Sequence, residues 1–296
     1  MKTDRRSIVL AITALPAVGH LSVAAIYITM GLLTGFLSIG LRHQSPDLRA
    51  AIQAIKEQPL GPLLLFSLII CSCALALWRG LQAFADLEDK GKKFPGLIQR
   101  GRLVASSLIY CGMSVLIGRM LLNQPVPSGE QVARDSASTL VIHPLGWILL
   151  VTAGLTCIGV GGFYAYRAAA GNFHAWFRTD QMSLRQQAWC FAMGRLGYAS
   201  RSVILVTIGY FLTVAGYHVR PDHVTGQAGA VQAIFHQPLG PWIVALIGVG
   251  LIAHGIFALA SARFGKIPEK KIEEVVASTA RADGEEAGLA ATAAQN

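Results

Sequence analysis

Charge is scarce in this chain. Only 14% of its 296 residues are Asp, Glu, Lys or Arg, against about 25% in a soluble domain. Those few are segregated, so long stretches hold none. All 16 carboxylates fall outside the apolar runs. That removes the acidic group that proton- and cation-coupled transporters usually place at membrane depth. The exclusion is partial, because some cation sites use backbone carbonyls. A disulfide framework is also lacking. The five cysteines are Cys71, Cys73, Cys111, Cys157 and Cys190; four lie inside apolar runs and read as small packing residues. Cys71 and Cys73 stand about 200° apart on a helix and share no face. There is no Walker loop, Gly-x-Ser-x-Gly, His-Glu-x-x-His or Cys-x-x-Cys, so nucleotide, hydrolase and zinc chemistry have no anchor. The expectation is a non-enzymatic protein without catalytic residues, cofactor or metal.

Long hydrophobic runs are abundant. Six stretches approach or exceed the roughly 20 apolar residues a membrane-crossing helix needs: Leu21–Leu41, Leu60–Trp78, Leu103–Leu122, Leu145–Tyr166, Leu196–Gly216 and Leu239–Ala262. A spanning barrel would alternate in segments of about ten residues. Continuous runs predict α-helices, which satisfy their own backbone groups in lipid.

The runs are repeats. Ala51–Pro62 reads AIQAIKEQPLGP and Ala230–Pro241 reads AVQAIFHQPLGP. A weaker copy, TLVIHPLGW, covers Thr139–Trp147. Each unit begins with Gly19-His-Leu, Gly101-Arg-Leu or Gly194-Arg-Leu. Each turns back at Pro59-Leu-Gly61, Pro144-Leu-Gly146 or Pro238-Leu-Gly240. The proline suits the first turn of a helix, where its absent N–H costs nothing. These glycines and prolines are assigned a structural role. The predicted division is an N-terminal segment 1–17, repeat one 18–84, a basic linker 85–99, repeat two 100–168, a linker 169–190, repeat three 191–263 and a disordered tail 264–296 with a short helix near Ile272–Ala280. Met1–Ala17 has signal-peptide character, but the repeat starts beyond it. The fold class is an all-α integral membrane protein: six spans in three same-direction hairpins, arranged as a pseudo-threefold bundle. Odd and even helices are expected to differ, one set nearer the axis. The connecting loops Arg42–Gln58, Asn123–His143 and Tyr217–Gln237 carry partial helical periodicity and read as interfacial helices.

Lys and Arg set the orientation. The N-terminus, Arg79–Arg102, Arg167–Arg201 and the tail from Arg263 hold all but six of the 25. By the positive-inside rule both termini face the cytoplasm. The net charge of +9 is thus a topology signal and not a nucleic-acid footprint. Lys90, Lys92 and Lys93 could touch anionic lipid, blunted by Asp86, Glu88 and Asp89. The bilayer is the one partner the sequence names; no protein partner is legible.

Together these units resemble the bacterial membrane family catalogued as domain of unknown function 1206, a two-helix unit commonly present in three copies. Unit three fits best, with Arg195-Leu-Gly-Tyr-Ala-Ser-Arg201 and Gln237-Pro-Leu-Gly240. Unit one keeps Gln58-Pro-Leu-Gly61, and unit two has His143-Pro-Leu-Gly146. Neither has an arginine equivalent to Arg201. The resemblance implies a fold and a bacterial plasma-membrane location, and lends no activity.

Two side chains stand out inside the runs. Arg201, two turns into the fifth, would cost about 2.5–3.5 kcal/mol at a helix centre. It is expected to snorkel to the cytoplasmic headgroups, with a buried anion or lipid phosphate as the sharper reading. His254 is the histidine deep within a span, read as an interhelical hydrogen-bonder, with proton handling as the alternative. His218, Asp222, His223 and His236 form no recognisable metal spacing. The functional expectation is a membrane scaffold binding lipid or a partner; the alternative is an uncoupled channel or facilitator along the axis.

Overall fold

The computed structural model describes residues 2–87, 89, 91 and 93–278. Lys90, Lys92 and Glu88, and the tail beyond 278, lie outside the described residues. The chain is helical: α1 (Lys2–Ser38), α2 (Leu48–Lys56), α3 (Gly61–Phe84), α4 (Phe94–Leu121), α5 (Gly129–Val141), α6 (Gly146–Ala170), α7 (Leu184–His218), α8 (Gln227–Phe235) and α9 (Gly240–Phe264). Six of these, α1, α3, α4, α6, α7 and α9, are long and apolar enough to cross a bilayer. They expose large side chains that water would not tolerate in such number, with Leu246 at 70% and Leu108 at 67%. Lipid accommodates such faces.

The spans are longer than their apolar runs at the end bearing the chain termini. There α4 starts at Phe94 and α7 at Leu184. A capping box fixes the latter: Ser183 Oγ accepts from the Gln186 amide, and the Gln186 side chain accepts from the Ser183 amide. Such a box satisfies two of the amides left over at a helix start. The predicted linker 169–190 is therefore helical from Leu184. At the same end, α1 passes through Pro16 without a break.

Helix packing follows the order α4, α3, α1, α9, α7, α6. Glycines make the contacts close. Gly31 of α1 meets the Gly248 carbonyl of α9, and Gly255 of α9 meets Ala24 and Ile28 of α1, so the two helices run antiparallel. On the α6–α7 seam, Gly154 and Gly161 face Gly209 and Val206. In lipid, close backbone approach of this kind replaces the hydrophobic driving force. A six-membered ring would also need a tight α4–α6 seam. That seam lacks the packing of the other five.

Three expectations need correction. Odd and even helices do not divide between centre and rim. Both extremes are second helices: 56% of the α9 window is buried, but only 17% of the α6 window, because α9 lies between α1 and α7 while α6 leans on α7. The loop helices are not simply laid on the bilayer. Ala51 and Ile52 of α2 and Ala230 and Val231 of α8 are buried, so these helices fold down into the mouth of the bundle. The tail is not free before residue 279. Residues 269–278 are helical. Ile272 is fully buried beside Val9, Ile12, Trp78 and Leu81. The backbone of Arg178 donates to Phe264, and that of Lys266 to Trp176. The exposed Lys271 bonds Asp89 at 2.8 Å, and that hydrogen bond holds its pKa above the ordinary lysine value.

Candidate functional site

The Arg195–Arg201 string occupies one stretch of α7, and each polar or small position in it has a distinct contact. Arg195 donates from Nε and Nη2 to the carbonyls of Ala168 and Ala169. These are among the carbonyls left unpaired at the end of α6, where a cation is also favoured by the helix dipole. Arg100 does the same for α3, through Ala83 and Phe84. At Gly197 an added Cβ would stand 2.7 Å from the His254 Cβ, so the absence of a side chain lets α9 approach. Tyr198 packs edge-on to His254 and Tyr164, with ring centroids 5.8 and 5.2 Å away. One turn after Gly197 comes Arg201.

The two side chains singled out in the sequence meet here. Arg201 Nη1 lies 3.0 Å from His254 Nε2. A guanidinium can only donate, so Nε2 accepts and the imidazole proton sits on Nδ1. That Nδ1 is buried without a hydrogen-bond partner among the described residues. The Arg201 guanidinium also lies over two aromatic faces, Tyr27 of α1 at 5.3 Å and Tyr164 of α6 at 5.0 Å. Tyr27 packs edge-on to His254 at 4.6 Å. Snorkelling is thus not what Arg201 does: its head is held by α9, α1 and α6 rather than extended to an interface. His254 stands ten residues from the end of α9, which puts the pair about 15 Å from that helix end.

Closer to the same end lies Arg167, one turn beyond Tyr164 on α6. Its guanidinium is 4.0 Å from the Trp176 ring, and its Nε is buried without a partner among the described residues. Tyr198 stands within electrostatic reach of both Arg167 and Arg201. Beneath them Phe173, Phe177, Phe257 and Tyr198 form an aromatic layer between α7 and α9. The sequence offered a signal for the tyrosines that was not used: an aromatic with a polar tip buried in an apolar run asks for a polar neighbour.

The opposite end carries a second arrangement that sequence reasoning missed entirely. Loop one reaches loop two: Asp47 caps α2 through the Ala50 amide and also accepts from the Gly129 amide at 2.9 Å. Loop two reaches loop three: Glu130 accepts from the Gly226 amide at 2.8 Å and from the Thr225 hydroxyl. Loop three reaches back: Gln232 Oε1 accepts from the Ser45 hydroxyl at 2.8 Å. This three-way cycle borders an open basin of about 550 Å³ lined by Arg42, Arg49, Gln53, Arg134 and Gln232. Ala51, Ile52 and Val231, on the other faces of α2 and α8, pack into the apolar core of the bundle instead.

The repeat glycines and prolines separate by unit. In every Pro-Leu-Gly turn a Cβ on the glycine would overlap a carbonyl oxygen of the preceding short helix: Lys56 for Gly61, Leu140 for Gly146 and Phe235 for Gly240. Pro59, Pro144 and Pro238 precede these turns. Leu60 and Leu239 adopt left-handed φ of 64° and 62°, whereas Leu145 has φ −105°. Gly19 packs against Leu75 across α1–α3, and Gly194 against Phe257 across α7–α9. A Cβ on Gly101 would meet nothing within 4 Å, in keeping with the loose α4–α6 seam. Unit two has thus kept the turn and lost the hairpin packing. Among the described residues no group of three His, Cys, Asp or Glu could hold a metal; His236 bonds Gln232 instead.

Comparison with known proteins divides the units in the same way. The family model described as Domain of Unknown Function (DUF1206) matches residues 18–86 and 196–265, which are units one and three. An uncharacterized protein, YxxB of Bacillus subtilis (strain 168), is 27% identical over 245 residues, spanning 81% of this chain and 86% of its own. No solved structure matches.

Proposed function

We propose that this chain, whose first and third units the DUF1206 family model matches, is a non-enzymatic membrane scaffold that binds lipid or a partner without conducting solute. The observation that carries this reading is the apolar cluster across the bundle. Met30 from α1, Leu68 from α3, Met113 and Ile117 from α4, Ile204 from α7 and Leu251 from α9 share one buried core. Five of the six spans contribute to it. Water and ions crossing the bundle would have to displace packed side chains, and interiors packed to this degree resist that.

The orientation belongs to the same reading: a bacterial plasma membrane, with both termini in the cytoplasm. Support comes from the basic residues at the terminal end, among them Lys93, Arg100, Arg102, Arg178, Arg185 and Lys266. Such a collar attracts anionic headgroups. The second reading, an uncoupled facilitator, is favoured by the three-loop basin, which would serve as its mouth. Flux measurement in liposomes separates the two. The scaffold reading expects potassium, chloride and phosphate permeation no faster than in empty vesicles. Saturable flux of any of them would establish the facilitator instead.

A further inference from the structure

Arg201 lies midway along the 35-residue α7, and no carboxylate occurs in any of the six spans. The protein answers its charge with one imidazole nitrogen and two aromatic faces. A guanidinium carries five N–H donors. Among the described residues the His254 contact accounts for one of its nitrogens, and the side chain is only partly covered by protein. Around it stand Tyr27, Tyr110 and Tyr164, from α1, α4 and α6, all within reach of its charge. Arg167 lies one turn from Tyr164 on the same face of α6, and its buried Nε has no partner among the described residues. The cluster is therefore cationic and rich in donors, with nothing acidic in the spans around it.

We propose that this cluster binds a phosphate-bearing anion, with the Arg201 guanidinium as its principal ligand and Arg167 as the nearer contact on the route from the basic end. The planar fork of arginine matches a phosphate with two parallel hydrogen bonds. Access comes through the α4–α6 seam. Helices α4 and α6 lack the close packing that joins the other neighbouring spans. Tyr110 and Tyr164 belong to the two helices of that seam. Two sources offer this chemistry: the headgroup of an anionic phospholipid, and free phosphate. The proposal deepens the scaffold reading and rests on it at one point: with the axis closed, the anion enters from the side or the basic end and does not pass through.

The test uses the full chain purified in a neutral, phosphate-free detergent. One arm titrates inorganic phosphate by calorimetry. The other reconstitutes the protein in phosphatidylcholine vesicles with or without phosphatidylglycerol and reads retained lipid by native mass spectrometry. Saturable phosphate binding identifies a soluble source, and selective retention of phosphatidylglycerol a lipid source; either supports the site. In the arm that binds, R201Q is expected to lose at least about tenfold in affinity, the scale of one lost charge-assisted contact. R201K should recover only part of it, because it restores charge without the fork. R119Q, which removes a cation bonded to the Pro125 carbonyl outside the cluster, should bind as wild type. Binding of neither probe, or equal binding by wild type and R201Q, overturns the proposal. Should R201Q fail to fold by circular dichroism and elution profile, R167Q and Y164F carry the same expectation, and unchanged binding by both overturns it. The flux assay is read separately. Conduction with binding intact would sink the scaffold and spare the site; silence in both would do the reverse.

Discussion

At Gly197 a methyl group would stand 2.7 Å from the His254 Cβ and 2.8 Å from its Cα. Backbone lies on the far side, so neither partner can yield by turning a side chain. Gly197→Ala should force α7 from α9 and break the Arg201–His254 contact, with a loss of about 1–3 kcal/mol typical of overpacking. Gly112→Ala, on an exposed face of α4 where a Cβ meets nothing within 4 Å, should be neutral or gain up to about 1 kcal/mol from helix propensity. Thermal unfolding of both variants in one detergent checks the contrast, and equal behaviour would refute it. Arg201 and His254 were legible in the sequence because a guanidinium and an imidazole are conspicuous among aliphatic neighbours. Their contact was not legible, because sequence spacing does not say which helices are adjacent. Arg201 was expected to reach for headgroups on the view that its helix began near Leu196. Helix α7 begins at Leu184, and the residue that looked shallow is central.

At the scale of elements, the Pro-Leu-Gly turn is the part of the repeat most tightly constrained by geometry. The short loop helix ends, the chain reverses, and the glycine nests against the last carbonyls of the helix just left. Gly240→Ala would drive a methyl into the Phe235 and Ile234 carbonyls, and backbone cannot swing aside as a side chain can. A loss of about 2–3 kcal/mol is expected, at the upper end of overpacking costs. It should read out as a lowered unfolding midpoint and early proteolysis of the loop Tyr217–Gln237. Wild-type stability in this variant would mean that the turn is not formed as described. The six spans were readable because hydropathy alone marks them, and their loop-side ends fell within a few residues. Their terminal-side ends were misjudged because the polar first turn of α7, Leu184-Arg-Gln-Gln, and the Gln99-Arg-Gly-Arg102 stretch of α4 interrupt the hydropathy signal. The Ser183 and Gln186 capping pair was the available clue. The periodicity of Leu48, Ala51, Ile52 and Ile55 located α2, but an apolar stripe faces lipid and protein core equally well, so its burial could not be read.

Across the whole molecule, three units share a plan but not a fate. Units one and three keep a packed hairpin, and the family model matches those two. Unit two keeps its turn, opens its hairpin, and is held to its neighbours by α3–α4 and α6–α7 contacts and by the loop cycle through Asp47, Glu130 and Gln232. Repetition was visible in the sequence, but the asymmetry shows only in which glycines have neighbours. The account as a whole requires that the bundle be dry where Ile117 and Ile204 share one buried core. Single cysteines in a background with all five native cysteines replaced by serine, labelled with a membrane-impermeant maleimide in liposomes, read this directly. Ile117→Cys and Ile204→Cys should stay unlabelled until the protein is denatured, while Leu122→Cys, at a position 69% exposed at the loop end, should react at once. Labelling of Ile117→Cys or Ile204→Cys as fast as Leu122→Cys would contradict the closed bundle.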